Sequence, residues 1–557
     1  MAKCLSQLMD DSSVWESLSL GFYMAGFSCG VLVRQGKGRV ESQFFKVQAS
    51  LICLGASSVL LTIFLHIVYR IYFYDYGFSR GEAWIVRPLH QFAMLAEGLV
   101  FAIGFMSGLE WRLLLKIQRV KASLVESPLY LIWSAYYFGA LAASLIFILI
   151  LNPHVSMVQA GLLAAFVHLI ALGIFLFEFN RKSAILRVSG LSVLLLLGLI
   201  FSPVLENLQI KNFYYNFLAL QNSSQTGIEW LGPVPLSELY SFLKKIPDVE
   251  RVRSPYQFID MTKSVENTGH GSEEKPTVEG YFEHTLFLNG HYQYDTRRER
   301  DYHEHLAHVP FLLTSRFPDK VLVLGAGDGL LLRELLKHKK NPLDLTLVEL
   351  DAGMVQLAQR PPLAHLNQNS LRDPRVRVEV ADAFLWLQKN KEQFSSIFVD
   401  FPFPFDGEGM RLYSLEFFRL LHKTLAPGGF MVMDAPFHHS PRTDEARRNL
   451  FDNDRLMSSL YGGGFRSLFG FKSMGEGFLI GFAELTQLPI LPMSRPHLSR
   501  ETLDYWESLS LKALSLDDWF VEDPPFVNLL GGKPPPGIES ANSIFKPMSL
   551  VQSDRAF

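Results

Sequence analysis

Cysteine is scarce in this chain of 557 residues, and all three of its cysteines lie within the first 53 positions. The rest of the chain therefore cannot build a disulfide framework, a cysteine-ligated metal site or a cysteine nucleophile. Its 16 histidines show no spacing that is typical of metal ligands. We therefore expect no metal site.

An excess of charge of either sign is also absent. The chain has 52 basic and 55 acidic residues, a formal net charge of −3 and no basic stripe. A nucleic-acid surface usually shows such a stripe, so we expect no nucleic-acid partner. A cleavable signal peptide is not expected either, because Met1–Glu16 has one lysine, three acidic residues and no apolar core.

Long uncharged apolar runs, in contrast, fill residues 1–210. Four of them approach or exceed the roughly 20 residues that cross a bilayer. They are Val47–Leu65, Ser127–Leu151, His154–Phe177 and Val188–Leu205. Ser17–Val33 is shorter, and Gln91–Leu109 is interrupted by Glu97. We predict an all-α transmembrane bundle of about six spans, which makes the chain a multi-pass protein of the inner or plasma membrane with the lipid bilayer as partner.

A glycine-rich motif marks the second half of the chain. Val321–Gly329 joins a short apolar run to a loop with three glycines, and Thr346–Asp351 is a second apolar run with Glu349 near its end. Two further strand-like runs are followed or closed by Asp382 and Asp400. Glycines let a backbone approach a nucleotide closely, and a strand-end carboxylate can accept ribose hydroxyls. This pattern predicts a parallel α/β nucleotide site.

The soluble half divides into three predicted parts. Residues 211–310 hold short alternating runs and the hairpin signal Asn289-Gly290, so they predict a small β-rich part. Residues 311–485 alternate strand and helix patterns, which predicts a Rossmann-like, doubly wound domain of the methyltransferase type. Residues 486–557 are rich in proline and read as a tail.

Several segments, taken together, resemble the polyamine aminopropyltransferase (spermidine synthase) family. The resemblance is closest to the bacterial members with an N-terminal multi-span membrane domain. The segments follow in the family's order and spacing. They are Ser254–Gln257, Leu286–Gln293, Asp301–Glu304, Leu306–Val309, Gly325–Gly329, Val348–Asp351, Asp373–Val376, Asp382–Phe384, Asp400 and Leu412-Tyr413.

The resemblance implies a reaction in polyamine biosynthesis. Family members transfer an aminopropyl group from decarboxylated S-adenosylmethionine to a small amine such as putrescine, without a metal, and a homodimer is the assembly that the resemblance suggests. It also implies roles for individual residues. Asp400, Tyr302 and Tyr413 would be catalytic. The donor would be bound by Gln257, Gln293, His303, Gly325, Gly327, Asp328, Gly329, Glu349 and Asp382.

One departure from the family concerns the acceptor. The soluble relatives read Asp-Ser-Ser-Asp-Pro at the catalytic aspartate, whereas this chain reads Asp400-Phe-Pro-Phe-Pro404. Phe403 therefore replaces the carboxylate that helps to hold the acceptor amine. Asp406, two residues beyond the motif, is a candidate substitute, but a loop carboxylate at such a position is more often solvated. The departure indicates an altered acceptor or weakened catalysis.

Alternative interpretations stay open. An S-adenosylmethionine-dependent methyltransferase shares the fold, although Asp328 and Tyr302-His303-Glu304 argue against it. A degenerate synthase domain that acts as a nucleotide or polyamine sensor, or as part of a transporter, is favoured by Phe403. Asp400 alone is also compatible with an ordinary strand-end carboxylate.

The side of the membrane is a further open point. Basic residues concentrate in Arg34–Lys46, Arg112–Lys121 and Arg181–Arg187. With six spans, the positive-inside rule then places the soluble half outside. A domain that uses an intracellular nucleotide-like donor belongs in the cytosol, and we favour the cytosolic side for that reason.

Overall fold

The structure is a computed structural model that describes most of the chain. The described residues are 12–33, 39–69, 83–122, 129–151, 155–178, 182–226, 248–263, 284–314, 318–339, 343–402, 407–434, 453–473, 476–484, 500, 504–505, 508–509, 511 and 526–528. Phe403 and Asp406 lie outside them. The chain divides into two compact units, Met1–Val249 and Glu250–Phe557.

The first unit is helical throughout its described part. Its helices are α1 Ser12–Leu32, α2 Val40–Tyr69, α3 Ala83–Ala122, α4 Leu129–Ile146 with a π-helical end at Phe147–Leu151, α5 Met157–Glu178 and α6 Lys182–Thr226. Helix α6 continues through residue 210, the predicted boundary of the membrane half.

Five helical segments of the described residues are long and apolar enough to cross a bilayer. They are Val40–Leu65, Met94–Ile117, Trp133–Leu151, Met157–Phe177 and Val188–Asn207. Five of the six predicted spans are thus confirmed as helices of spanning length and composition, and Glu97 does not interrupt its helix. The predicted sixth span, Ser17–Val33, lies in helix α1 but is not among the five.

Helices α1 and α3 approach each other unusually closely. Gly26 and Gly30 of α1 face the backbone carbonyls of Phe101 and Phe105, so closely that a Cβ at either glycine would collide with the oxygen. The contact is reciprocal, because Gly104 and Gly108 of α3 face the carbonyls of Tyr23 and Phe27. Small residues spaced by four along both helices allow this approach, and Ser19 adds a hydrogen bond of 2.7 Å to Glu97.

The second unit begins with a four-stranded antiparallel sheet in the order β1-β2-β3-β4. Its strands are β1 Glu250–Arg253, β2 Phe258–Lys263, β3 His284–Leu288 and β4 His291–Asp295. Asn289 and Gly290 connect β3 to β4 with positive φ angles of 51° and 92°. This is the conformation that an Asn-Gly hairpin turn favours, so the predicted hairpin is confirmed. The sheet belongs to the same compact unit as the domain that follows, and a separate small domain stays a prediction.

The larger sheet of this unit has, in its described part, eight strands in the order β12-β10-β11-β9-β8-β5-β6-β7. Its strands are β5 Lys320–Gly325, β6 Asp344–Glu349, β7 Val376–Val380, β8 Phe394–Asp400, β9 Leu425–Asp434, β10 Ser467–Ser473, β11 Glu476–Phe482 and β12 Phe526–Asn528. Strands β5 to β9 are parallel, whereas β10 to β12 pair antiparallel. This arrangement confirms the predicted α/β sheet domain.

Helices cover both faces of this sheet. They are α7 Glu299–Thr314, α8 Leu330–Leu335, α9 Ala352–Ala358, α10 Leu363–Leu366, α11 Ala383–Lys389, α12 Gly407–Arg411, α13 Leu415–Thr424 and α14 Asn453–Gly463, with a 3-10 turn at Ser370–Arg372. The central strands are mostly apolar and bury side chains on both faces, as parallel strands do. Phe398 packs under α7, whereas its neighbour Val399 packs under α13. The carboxyl ends of β8, β5, β6 and β7 thus come together at one edge.

Candidate active site

The glycine-rich loop after β5 is shaped by two close approaches. Gly325 has a φ of +84°, and a Cβ there would collide with the carbonyl oxygen of Asp400. A Cβ at Gly327 would lie 2.8 Å from the carboxyl carbon of Glu349. Glycine alone satisfies both conditions, because it tolerates positive φ and occupies no space beyond the backbone. The loop therefore packs its backbone against the backbone of Asp400 on one side and the carboxylate of Glu349 on the other.

Glu349 ends β6 beside this loop. Its Oε1 accepts a hydrogen bond of 2.8 Å from the backbone N–H of Asp351. Burial raises the pKa of Glu349 to about 7, and the charges of Asp351 and Asp328 act in the same direction. A carboxyl with that pKa readily loses its proton near neutral pH, and the carboxylate can then accept hydrogen bonds from a ligand.

Asp382 already accepts hydrogen bonds from two protein groups. Its Oδ1 accepts 3.0 Å from the backbone N–H of Leu385 and so caps helix α11, and its Oδ2 lies 2.6 Å from the Arg411 guanidinium. A cavity of about 580 Å³ opens beside it, lined also by Arg377 and Trp386. A ligand that used Asp382 as an acceptor would have to share or displace Arg411.

The two predicted glutamines contact different groups. Gln257 donates 2.9 Å to Oδ2 of Asp351, which places it beside the end of β6. Gln293 donates only to backbone carbonyls of its own strand, those of His291 and Tyr292, at 3.2 Å each. Gln257 is thus joined to the Glu349 end of the site, whereas Gln293 makes no described contact with the other predicted residues.

Asp400 ends β8 under helix α7. The hydroxyl of Tyr302 donates 2.8 Å to its Oδ1. Burial raises the pKa of Asp400 to about 6, and the charge of Asp328 adds to this, while the charge of His303 and the hydrogen bond from Tyr302 oppose it. The carboxyl is therefore mostly ionised at neutral pH and remains basic enough to accept a proton.

Tyr413 and Asp434 complete the acidic end of the site. Tyr413 is 4% exposed, and burial, followed by the charges of Asp434 and Asp400, raises its pKa. The same two carboxylates, after burial, raise the pKa of Tyr302. The sequence reasoning missed Asp434, although it directly follows the predicted strand Phe430–Met433 and so carried the same signal as Asp400.

Asp328 and His303 form the middle of the site. Asp328 accepts 2.9 Å from the backbone N–H of Leu330, and burial raises its pKa whereas the charge of His303 lowers it. His303 has its Nδ1 2.7 Å from the backbone oxygen of Glu299 and 3.2 Å from the Glu299 carboxylate. Burial alone would lower the pKa of His303, but Glu299, Asp328 and Asp400 outweigh it and raise the pKa to about 9.

The structure thus aligns one glycine-rich loop with acidic side chains at the ends of adjacent strands. Asp400, the loop, Glu349 and Asp382 follow one another along the carboxyl edge of the sheet. Ligands of open α/β sheets bind at this edge. The fold and the position of the site are those of a Rossmann-like α/β domain.

Comparison with known proteins finds one matching domain and several similar proteins. Residues 299–452 match the spermine/spermidine synthase domain. Polyamine aminopropyltransferase 1 of Streptomyces coelicolor is 33% identical over 65% of this chain and 61% of its own length. Polyamine aminopropyltransferase of Leptospira interrogans is 32% identical over 59% of this chain and 57% of its own. The chain thus spans about three fifths of the length of these relatives.

Among solved structures, spermidine synthase from Thermotoga maritima is 22% identical over 43% of this chain and 74% of its own, with a TM-score of 0.34. That score is too low to bear on the fold. On the domain match and the sequence relatives, the chain carries a stretch that matches the spermine/spermidine synthase domain and is similar to polyamine aminopropyltransferases over this part of its length.

Proposed function

We propose that the chain is a membrane-bound aminopropyltransferase. It moves the aminopropyl group of decarboxylated S-adenosylmethionine to a small amine and releases methylthioadenosine. The observation that carries the proposal is the Tyr302–Asp400 pair beside the glycine-rich loop, at the edge where Glu349 and Asp328 also lie. The named relatives are polyamine aminopropyltransferases, which supports the same reaction.

The donor is bound by charge as well as by shape. Decarboxylated S-adenosylmethionine carries a sulfonium and an ammonium, and it lacks the carboxylate of S-adenosylmethionine. Asp328 and Asp400 offset these positive charges, which lose water on entering the site. The ionised Glu349 accepts hydrogen bonds from the ribose hydroxyls. Asp382 accepts a hydrogen bond from the adenine amino group once Arg411 has moved away from it. A carboxylate on the donor would face Asp328, so S-adenosylmethionine is disfavoured.

The chemical step is a displacement at carbon. The acceptor ammonium first loses a proton to Asp400, whose pKa of about 6 suits a base near neutral pH. The amine lone pair then attacks the aminopropyl carbon bonded to sulfur. The carbon–sulfur bond breaks, and its electron pair remains on the sulfur of methylthioadenosine. Tyr302 and Tyr413 orient Asp400 and the amine.

The acceptor is a diamine that uses Asp434 in place of the carboxylate replaced by Phe403. Val399 and Met433 are partners in the parallel ladder of β8 and β9, so Asp400 and Asp434 follow at the same level. Neighbouring strands lie about 4.8 Å apart, and side chains at one level share a face. One ammonium can therefore reach Asp400 while the other meets Asp434.

The membrane half has six spans, the sixth being helix α1. Hydropathy alone does not select α1, but its four-glycine contact with the spanning helix α3 supports this assignment. Such close small-residue contacts are typical of helices that associate in lipid. The synthase domain lies on the cytosolic side, where a nucleotide-derived donor is available, although the positive-inside rule applied to six spans gives the opposite orientation.

The test uses the full-length protein in detergent or lipid. Decarboxylated S-adenosylmethionine is supplied with a panel of monoamines, diamines and polyamines, and methylthioadenosine release is measured. We expect release with a diamine and none with S-adenosylmethionine as donor. Methyl transfer from S-adenosylmethionine would favour the methyltransferase alternative, and binding without turnover would favour a sensor.

A further inference from the structure

A buried ion-pair network lies directly behind the proposed donor site. Arg333 of α8 donates to both carboxylate oxygens of Glu299, the first residue of α7, at 2.9 Å each. It donates from Nε to Glu334 at 2.8 Å and from Nη1 to the carbonyl of Leu366 at 3.0 Å. Glu299 is 1% and Arg333 is 3% exposed. The mechanism described above uses none of these groups.

The network joins the two elements that carry the reaction. Helix α8 follows the glycine-rich loop, and helix α7 carries Tyr302 and His303. A bidentate Arg–carboxylate pair fixes distance and angle together, because two parallel hydrogen bonds define the plane of both groups. The pair therefore sets the position of α7 against the loop.

Glu299 also controls the charge of His303. Its carboxylate lies 3.2 Å from Nδ1, and no described residue bonds Nε2. The charged groups that act on His303 are Glu299 of its own helix, Asp328 of the loop and Asp400 of β8, and all three favour the imidazolium. Tyr294 of β4 and Tyr302 contact its ring as neutral groups.

We propose that Glu299, oriented by Arg333, is a positioning residue that keeps His303 a fixed imidazolium beside Asp328 and Asp400. This inference rests on the proposed aminopropyl transfer. The fixed cation offsets the carboxylates of the free enzyme, so that they are ionised before the cationic donor arrives. Burying several like charges without such a partner would instead protonate one of them.

The other end of the network supplies a matched control. Glu334 is 0% exposed and also bonds Arg333. Its other contacts are to groups outside the proposed site, namely Nε2 of His308 at 3.1 Å and Lys337 at 2.5 Å. His308 meets His338 at 2.9 Å, and His338 meets the hydroxyl of Tyr505 at 2.7 Å. Loss of Glu334 therefore disturbs an equally buried network without removing the anion beside His303.

The experiment compares Glu299→Gln with Glu334→Gln in the full-length protein. The pH dependence of kcat/KM for the donor and the pH dependence of donor binding by calorimetry are both measured. Glu299→Gln removes the anion that holds His303 charged. Loss of that cation raises the pKa of Asp400, which serves turnover, and of Asp328, which meets the donor. We expect the acid limb of both profiles to move up by about one pH unit. Glu334→Gln should lower thermal stability and leave the acid limb in place.

A double variant tests the proposal in case Glu299→Gln does not fold. Glu299→Leu combined with Arg333→Met removes both charges of this pair, and Glu334 keeps Lys337 as its cationic partner. The double variant should show the same shifted limb. Unmoved limbs in both Glu299 variants would overturn the positioning role. Donor binding without turnover in the unaltered protein would overturn only the proposed reaction, since the binding profiles still test Glu299. Absence of donor binding at every pH would overturn both.

Discussion

Asp400 offers the sharpest test of the proposed chemistry, through its charge. Burial raises its pKa to about 6 from an ordinary value of 3.8. The reaction needs the deprotonated carboxylate, so turnover should rise as the pH rises through this value. At pH 5 only about a tenth of the carboxyls are ionised, and turnover should fall about tenfold below its plateau.

Replacement of Asp400 by asparagine keeps the shape and removes the base. Loss of a positioned general base typically costs about 10²–10⁴-fold in rate. We expect turnover of Asp400→Asn to fall by at least about a hundredfold, with the acid limb of its profile flattened. Donor binding should change far less, because the loop and Glu349 carry most of that task.

The assay is methylthioadenosine release at saturating donor from pH 5 to 9. Asp344→Asn is the matched control, since it makes the same change at an exposed position at the start of β6, on the opposite edge of the sheet. Asp400→Asn with undiminished turnover, or with its acid limb intact near pH 6, would show that the base is elsewhere.

Three further predictions concern other parts of the chain. Asp434→Asn should raise the KM for a diamine about tenfold or more while leaving a simple alkylamine unaffected, because only the diamine has a second ammonium to place; equal effects on both acceptors would refute the role of Asp434. Gly325→Ala should abolish donor binding in calorimetry, because its Cβ collides with the backbone of Asp400 at a φ that disfavours side chains, and retained binding would contradict the loop geometry. Gly104→Leu should separate α1 from α3 and lower the thermal midpoint in detergent, whereas Gly98→Leu, where no described atom lies near the added Cβ, should not; equal midpoints would argue against the close helix pair.

Local patterns in the sequence predicted the parts of the site that depend on one segment. The loop after β5 requires glycine at Gly325, and the strand-end carboxylates Glu349 and Asp400 follow apolar runs directly. Each of these signals lies within a few residues, so the sequence is sufficient to recognise it. Helix α1 was also predicted as a helix, although its hydropathy is marginal for a span.

Pairings between distant segments could not be predicted in the same way. The Arg333–Glu299 pair joins residues 34 positions apart, and Arg411 reaches Asp382 over 29. Sequence periodicity shows which residues are buried but not which buried charges meet, because that depends on how helices dock on the sheet. Asp434 is a different case, since it directly follows the strand-like run Phe430–Met433 and carries the same local signal as Asp400.

The environment of Glu349 has a thermodynamic consequence. With a pKa of about 7, this carboxyl is about half protonated in the free enzyme at neutral pH. Ribose hydroxyls bind the ionised form, so donor uptake would release a fraction of a proton to the medium. The heat measured on binding would then depend on the ionisation enthalpy of the buffer. Acidification below pH 7 would therefore weaken donor capture.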